Sequence, residues 1–284
     1  MTIDKLSTVA FSRYARLVID RIEIVSRGIA DQTGLRFDFD VSKNLKPEPN
    51  KAQINIWGLS RGSRYRIQTL GSVPVSLDVG YEGGHEQIFL GGLRTALPTK
   101  DDEGSIIVHL ASGDGEVKFR KSRVSASFAK GTPANQVLRT VAEAIGVDRG
   151  NLDEAVSALQ GVANAFPSGT VLHGNAAREL TGVCRSLGLE WSVQNGKLQI
   201  LSLGALIKGT AINLSESSGM IGAPSLDSKG VLSVKSLLVP GIHPGRALVI
   251  KSEFLSGQFR IEETKHSGDT RGQNWIVDIK AKRY

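Results

Sequence analysis

The chain has 284 residues, enough for two or three compact domains, and its 40% hydrophobic and 22% charged content argues against a disordered chain. Lysine and arginine outnumber aspartate and glutamate by 35 to 28, a net +7 spread along the sequence rather than gathered in one basic block. A lone cysteine, Cys184, excludes an intrachain disulfide and a cysteine-based zinc site.

Met1–Ile24 carries Asp4, Lys5, Arg13, Arg16, Asp20 and Arg21, which interrupt any apolar stretch of signal-peptide length. Nowhere do about 18 apolar residues run together, so no membrane span is expected. Leu17 to Phe119 reads as strands. Phe37, Phe39 and Val41 alternate with Arg36, Asp38 and Asp40; Val73, Val75, Leu77, Val79 and Tyr81 repeat the pattern, as do Ile106, Val108 and Leu110. Turn clusters at Lys46–Asn50, Glu82–His85 and Lys100–Gly104 divide them. Pro74 lacks an amide donor and belongs near a strand start or edge.

The period then changes. Thr132 caps a predicted helix opening at Pro133, with Val137, Leu138, Val141 and Ile145 at helical spacing and Gly146 as its stop. A weaker pattern suggests another helix over Asn151–Ala165. Ala177, Leu180, Cys184 and Leu187 form the apolar stripe of a third, over Ala176–Leu187, which Gly188 ends. Glu190–Gln194 and Lys197–Leu201 flank Asn195-Gly196, a strong hairpin signal because both turn residues tolerate positive φ. Strands return at Val231–Val239, Arg246–Phe254, Gln258–Lys265 and Asn274–Ala281, divided by Pro240-Gly241, Ser256-Gly257 and Ser267-Gly268-Asp269. The expected architecture is a β-rich α+β protein: two small, tube-like β-barrel domains, residues 1–120 and 203–284, with an α/β insert domain at 121–202.

Sites of chemistry are not expected. The five histidines, at 85, 109, 173, 243 and 266, lack the spacing that places metal ligands on one helix face, and all but His109 fall in or beside predicted turns. His266, Ser267, Asp269 and Thr270 supply the residue types of a hydrolase triad, but neighbours on one turn rarely reach its geometry. Gly80–Gly84 lies between strands and opens no helix, so it reads as a turn and not a phosphate cradle. Asp101, Asp102 and Glu103 read as a solvated turn, Cys184 as a small core hydrophobe, and Trp57, Trp191 and Trp275 as packing residues. No catalytic, cofactor-binding or metal-binding residues are assigned, and no enzyme activity is expected.

Several segments taken in order resemble a known family: Asn50–Ser60, Ile88–Leu93, the helix start at Lys130-Gly131-Thr132-Pro133, the Gly188–Val193 strand and, most specifically, His266–Trp275. They are similar to phage tail baseplate hub proteins, late control protein D-like, which are related to the base of type VI secretion spikes. The resemblance implies a structural, non-enzymatic homotrimer whose paired barrels form a pseudo-sixfold ring between the tail tube and the central spike. It implies contacts with tube or distal tail proteins, the spike and other baseplate subunits, and a lumen passed by phage DNA or the tape measure. The place would be the virion tail baseplate, after synthesis in the host cytoplasm. The barrel pattern also fits a single-stranded nucleic-acid- or sugar-binding module, and a tail-tip resemblance leaves a cell-wall hydrolase as a further alternative.

Overall fold

The computed structural model describes residues 12–28, 33–159, 166 and 168–284. In chain order these residues form β1 (Arg13–Ile19), β2 (Ile22–Arg27), β3 (Phe37–Asn44), β4 (Lys51–Trp57), α1 (Arg61–Thr69), β5 (Pro74–Tyr81), β6 (Gly84–Lys100) and β7 (Ile106–Gly113). There follow α2 (Glu116–Lys121), β8 (Arg123–Phe128), α3 (Ala134–Ile145), α4 (Leu152–Ala158), β9 (Thr170–Asn175), α5 (Ala176–Ser186), β10 (Leu189–Gln194) and β11 (Lys197–Ser202). The last are β12 (Ile212–Ser215), β13 (Met220–Leu226), β14 (Val231–Leu237), β15 (Ala247–Lys251), β16 (Ser256–Asp269) and β17 (Trp275–Lys282).

The chain divides into two compact units. One joins Met1–Asn44, Asn50–Gly113 and Leu206–Tyr284; the other joins Leu45–Pro49 with Asp114–Ala205. The expected three-part division therefore differs from the observed units, and the physical reason is a strand pairing. β16 runs antiparallel to β3, from Glu263 opposite Asn44 to Asp269 opposite Asp38. That ladder fuses the two flanks into a sheet ordered β13-β14-β17-β16-β3-β4-β7-β6-β5-β1-β2, with β15 on the first half of β16 and β12 beside β15. The path ends at β13 and β2, so among the described residues neither flank closes into the expected barrel.

Period-two alternation builds this β unit as the sequence suggests. Phe37, Phe39 and Val41 face its core, with Leu17, Ile54, Ile56, Leu77, Val79 and Val108. Pro74 is the first residue of β5. β6 turns the sheet: its first half pairs with β5 and its second half with β7. The 9-residue helix α1 was not expected; Ser60 caps it by accepting from the Ser63 amide at 3.1 Å.

The second unit packs α3 and α5 with the antiparallel β8–β9 pair and the β10–β11 hairpin around Val137, Leu138, Val141, Leu180, Val193 and Ile200. Asn195 and Gly196 adopt φ of 53° and 77° in the predicted β10–β11 turn. One helix start shifts. Thr132 spends its hydroxyl on the Ala129 carbonyl, so Pro133 is the N-cap and α3 opens at Ala134, ending at Gly146 as expected. α5 is capped by Asn175, whose side chain accepts from the Arg178 amide. Of the helix expected over Asn151–Ala165, Leu152–Ala158 is helical, and 160–165 lie outside the described residues, as do 1–11 of the N-terminal segment. No described helix is long and apolar enough to cross a membrane.

Candidate functional site

The fused seam of β3 and β16 carries most of the unusual chemistry. Alternation along β3 runs Phe37, Phe39, Val41 and then Lys43, so a lysine follows three hydrophobes into the core, where it is 1% exposed. On β16 the register against β17 slips between Ile261 and Glu263. This bulge switches the inward set from Phe259 and Ile261 to Thr264, His266 and Gly268. Thr264 stands opposite Lys43, and His266 opposite Val41.

His266 is thus a core residue and not part of a turn. Neither of its ring nitrogens meets a hydrogen-bond partner of good geometry among the described residues. Burial, with Lys43 and His243 nearby, holds its imidazole well below the usual histidine range, against a small opposing pull from the Ile242 backbone. His243, on the loop before β15, places Nε2 3.2 Å from the Glu86 carboxylate of β6, and the Gly241 amide donates to the same carboxylate. Burial alone would raise Glu86; the contacts with His243, Gly241 and the field of Lys43 together hold it below its ordinary value. Residues from both flanks thereby share one polar cluster, buried at Lys43 and His266 and half-buried at His243 and Glu86.

At the end of the seam, the turn after β16 is tied to β1 and to the strand entering β3. Arg13 donates to the carbonyls of Asp269, Gly272 and Gln273 and lies 5.2 Å from the Trp275 ring centre. Arg36 holds the Asp269 carboxylate through Nε at 3.3 Å and Nη2 at 2.8 Å, while its guanidinium lies 4.4 Å from the Trp57 ring centre. Burial would raise Asp269, yet Arg36 and the Arg271 and Gly272 amides bring it below the ordinary range. The Phe37 amide donates to Thr270 Oγ1 at 3.0 Å. Beneath the turn, Trp275 packs edge-on to Phe39, with ring centres 5.5 Å apart.

The His266–Thr270 residue types therefore do not assemble as a triad. His266 enters the core, Ser267 donates to Asp40 on the opposite face, and Asp269 is bound to Arg36. A row that sequence reading missed does assemble across four strands. Thr99 Oγ1 is 2.7 Å from His109 Nε2, His109 Nδ1 is 2.6 Å from Asn55 Oδ1, and Asn55 Nδ2 donates to Asp38 at 2.7 Å. His109 faces Asn55 and Asn55 faces Asp38 in the ladders, and Thr99, opposite Ile107, reaches His109 from the diagonal position. Period-two alternation marks three of its members as outward-facing; the pairing that unites them is not visible in sequence.

The other candidates resolve as follows. His85, at the start of β6 beside the β5–β6 turn, packs its ring at a tilt against Tyr14 of β1, and His173 lies on β9. Gly80, at φ 153°, abuts the Gly84 carbonyl, which a Cβ would approach to 2.5 Å; the segment is the β5–β6 turn. The Asp101 carboxylate accepts the Glu103 and Ser105 amides, closing the β6–β7 tip. Cys184 is buried, and burial pushes its thiol up to about 12. Trp191 and Trp275 are core residues, whereas Trp57 is half-exposed beneath Arg36. No group of three histidine, cysteine or acidic side chains is placed to hold a metal among the described residues.

No known protein-family profile matches the chain, and no curated protein matches its sequence. Solved structures do share its fold. The tail protein from Neisseria meningitidis MC58 superposes with a TM-score of 0.64 at 10% identity, over 96% of this chain and 97% of that one. The 43 kDa tail protein of prophage MuSo2 from Shewanella oneidensis gives 0.63 at 11% identity, again over 96% and 97%. An E. coli component of the type VI secretion system, itself described as structurally similar to T4 bacteriophage tail proteins, gives 0.58 at 10% identity over 94% of this chain and 76% of that one. The fold is thus that of phage tail and type VI secretion spike-related proteins, as the sequence resemblance implied.

Proposed function

We propose that the chain is a structural subunit of a phage tail, acting as the baseplate hub that joins the tail tube to the central spike. The observation that carries this reading is the near end-to-end superposition on two tail proteins, which leaves little of either chain unmatched. The β unit adds support from physics. Its flanks each contribute a β section, β1–β7 and β12–β17, so three copies would present six comparable sections toward a sixfold tube while meeting a threefold spike. In this reading the domains at 1–120 and 203–284 are the repeated tube-like elements and 121–202 is the insert.

The work is mechanical: a homotrimeric ring holds the spike, touches tube or distal tail proteins and other baseplate subunits, and surrounds the lumen through which DNA or the tape measure passes. The strands β13 and β2 that end the sheet path among the described residues would then be covered in the assembly, which protects them from promiscuous pairing. No catalytic role is assigned to the Thr99–His109–Asn55 row, for which no oxyanion-binding donors are identified. Cryo-EM of tails from particles carrying a tagged chain tests the reading: the tag belongs at the tube–spike junction, and tails without the chain would contradict it.

A further inference from the structure

The α/β unit handles its cations in two ways. Around α3 and α4 they are matched: Arg139 meets Asp153 at 2.9 Å and Glu143 at 3.8 Å, and Arg149 meets Glu143 at 3.0 Å. Along α2 and the start of β8 the matching stops. Four of the six residues from Lys118 to Arg123 are cationic, and all four are exposed. Lys118, Arg120 and Lys121 form no ion pair among the described residues, and Arg123 spends Nη1 on the carbonyls of Arg120 and Ser122.

The partial negative charge at the end of α2 explains how Lys118, Arg120 and Lys121 are tolerated together in its last turn. It leaves their ammonium and guanidinium hydrogens facing water. β8 carries this face onward, because Arg123, Ser125 and Ser127 are its exposed alternating set. In the ladder Ser125 stands opposite His173 of β9, which is exposed as well. The aromatic rings of this region turn inward: Phe119 stacks on the buried Trp191, ring centres 5.2 Å apart, and Phe128 packs against the core. The outer surface is therefore one of cations and hydroxyls.

We propose that this face of α2 and β8 binds the phosphate backbone of duplex DNA. A duplex presents one negative charge per about 1.7 Å of its axis, and lysine, arginine and serine side chains are the usual donors to its phosphates. Single strands are held by stacking on exposed aromatic side chains, and here those rings are turned inward. A protein partner would need an aromatic or large apolar anchor at the centre, whereas the exposed apolar side chains of α2 and β9 are the small Val117 and Val171. The inference rests on the charges of one compact unit and stands whether or not the chain forms the proposed ring.

The test uses the full-length protein and three labelled probes: a duplex oligonucleotide, an oligothymidine strand of the same length, and an oligoglutamate peptide. Binding is followed by fluorescence anisotropy over a series of salt concentrations. The duplex should bind tightest, with log affinity falling linearly against log salt. Replacing Lys118→Gln together with Lys121→Gln should lower that slope by about two, one for each lost phosphate contact. Lys235→Gln with Lys280→Gln removes the same net charge from cations already paired with Asp278 and Glu263, and should leave the slope unchanged. Ser125→Glu, at an exposed position on β8, should weaken duplex binding several-fold and covers a failure of the first double variant to fold. Equal or tighter binding of either other probe, equal slope loss in the two double variants, duplex affinity unchanged in Ser125→Glu, or no salt-dependent binding would each overturn the proposal.

Discussion

Between Asp114 and Ala205 much of the structure is made by neighbours in sequence, β10 with β11 across a two-residue turn and α3 and α5 with stripes that repeat within one helix, with the β8–β9 pair as the longer-range exception. The β unit is closed instead by residues such as Asp40 and Ser267, 227 positions apart. The interiors differ as well. The α/β unit buries Asp114 and Ser192 beside a largely apolar core, while the β unit buries Lys43, Arg260, Thr264 and His266. Remote pairing falls together with the buried Lys43 and His266 at the β3–β16 seam, so damage there should affect the β unit far more than the α/β unit.

The largest effect should come from Trp275→Ala, which empties the space beside Phe39 and beneath Arg13. It should cost about 3–5 kcal/mol, and hydrogen exchange should accelerate in β3, β16 and β17 while α3 and α5 keep their protection. Comparable loss in both units would break the comparison. Gly268→Ala comes next: its Cβ would stand 2.4 Å from Phe39 and 2.8 Å from Trp275, so the rings must move. About 1–3 kcal/mol is expected from such overpacking, read as a lower denaturant midpoint for the β unit.

Acid should separate the units too. The unfolded chain protonates His266 near pH ~6.5, whereas the folded imidazole stays neutral to lower pH. The unfolded state therefore binds more protons in that window. Stability is complete above pH ~6.5 and declines as the pH falls toward the folded value, by up to ~1.4 kcal/mol per pH unit. Glu86, held below its ordinary value, adds a further loss below pH ~4.3. Chemical denaturation across pH 7 to 5 should show this slope in the β unit, and His266→Leu should flatten it; an unchanged slope would remove His266 from the account. The smallest effect is expected at the local turn. Gly196→Ala, at φ 77°, should cost about 1 kcal/mol and confine its effect to the α/β unit.

The same contrast explains what could be read in sequence. Val137, Val141 and Ile145, and the Asn195-Gly196 turn, carry their structure in local spacing and were legible. Phe37, Phe39 and Val41 announced a strand, but nothing local names β16 as its partner, so the flanks read as two barrels. Lys43 occupies an inward position that a polarity pattern assigns to solvent. His266 becomes inward only through the bulge between Ile261 and Glu263. Trp57 reads as a packing residue in sequence, whereas it is half-exposed with Arg36 over its ring.

The symmetry of the assembled particle bears most directly on the hub reading. Counting copies of this chain in the tail by cryo-EM without imposed symmetry should give three, each offering its two β sections to the tube ring above. Six copies, each presenting one section to one tube subunit, would contradict the account.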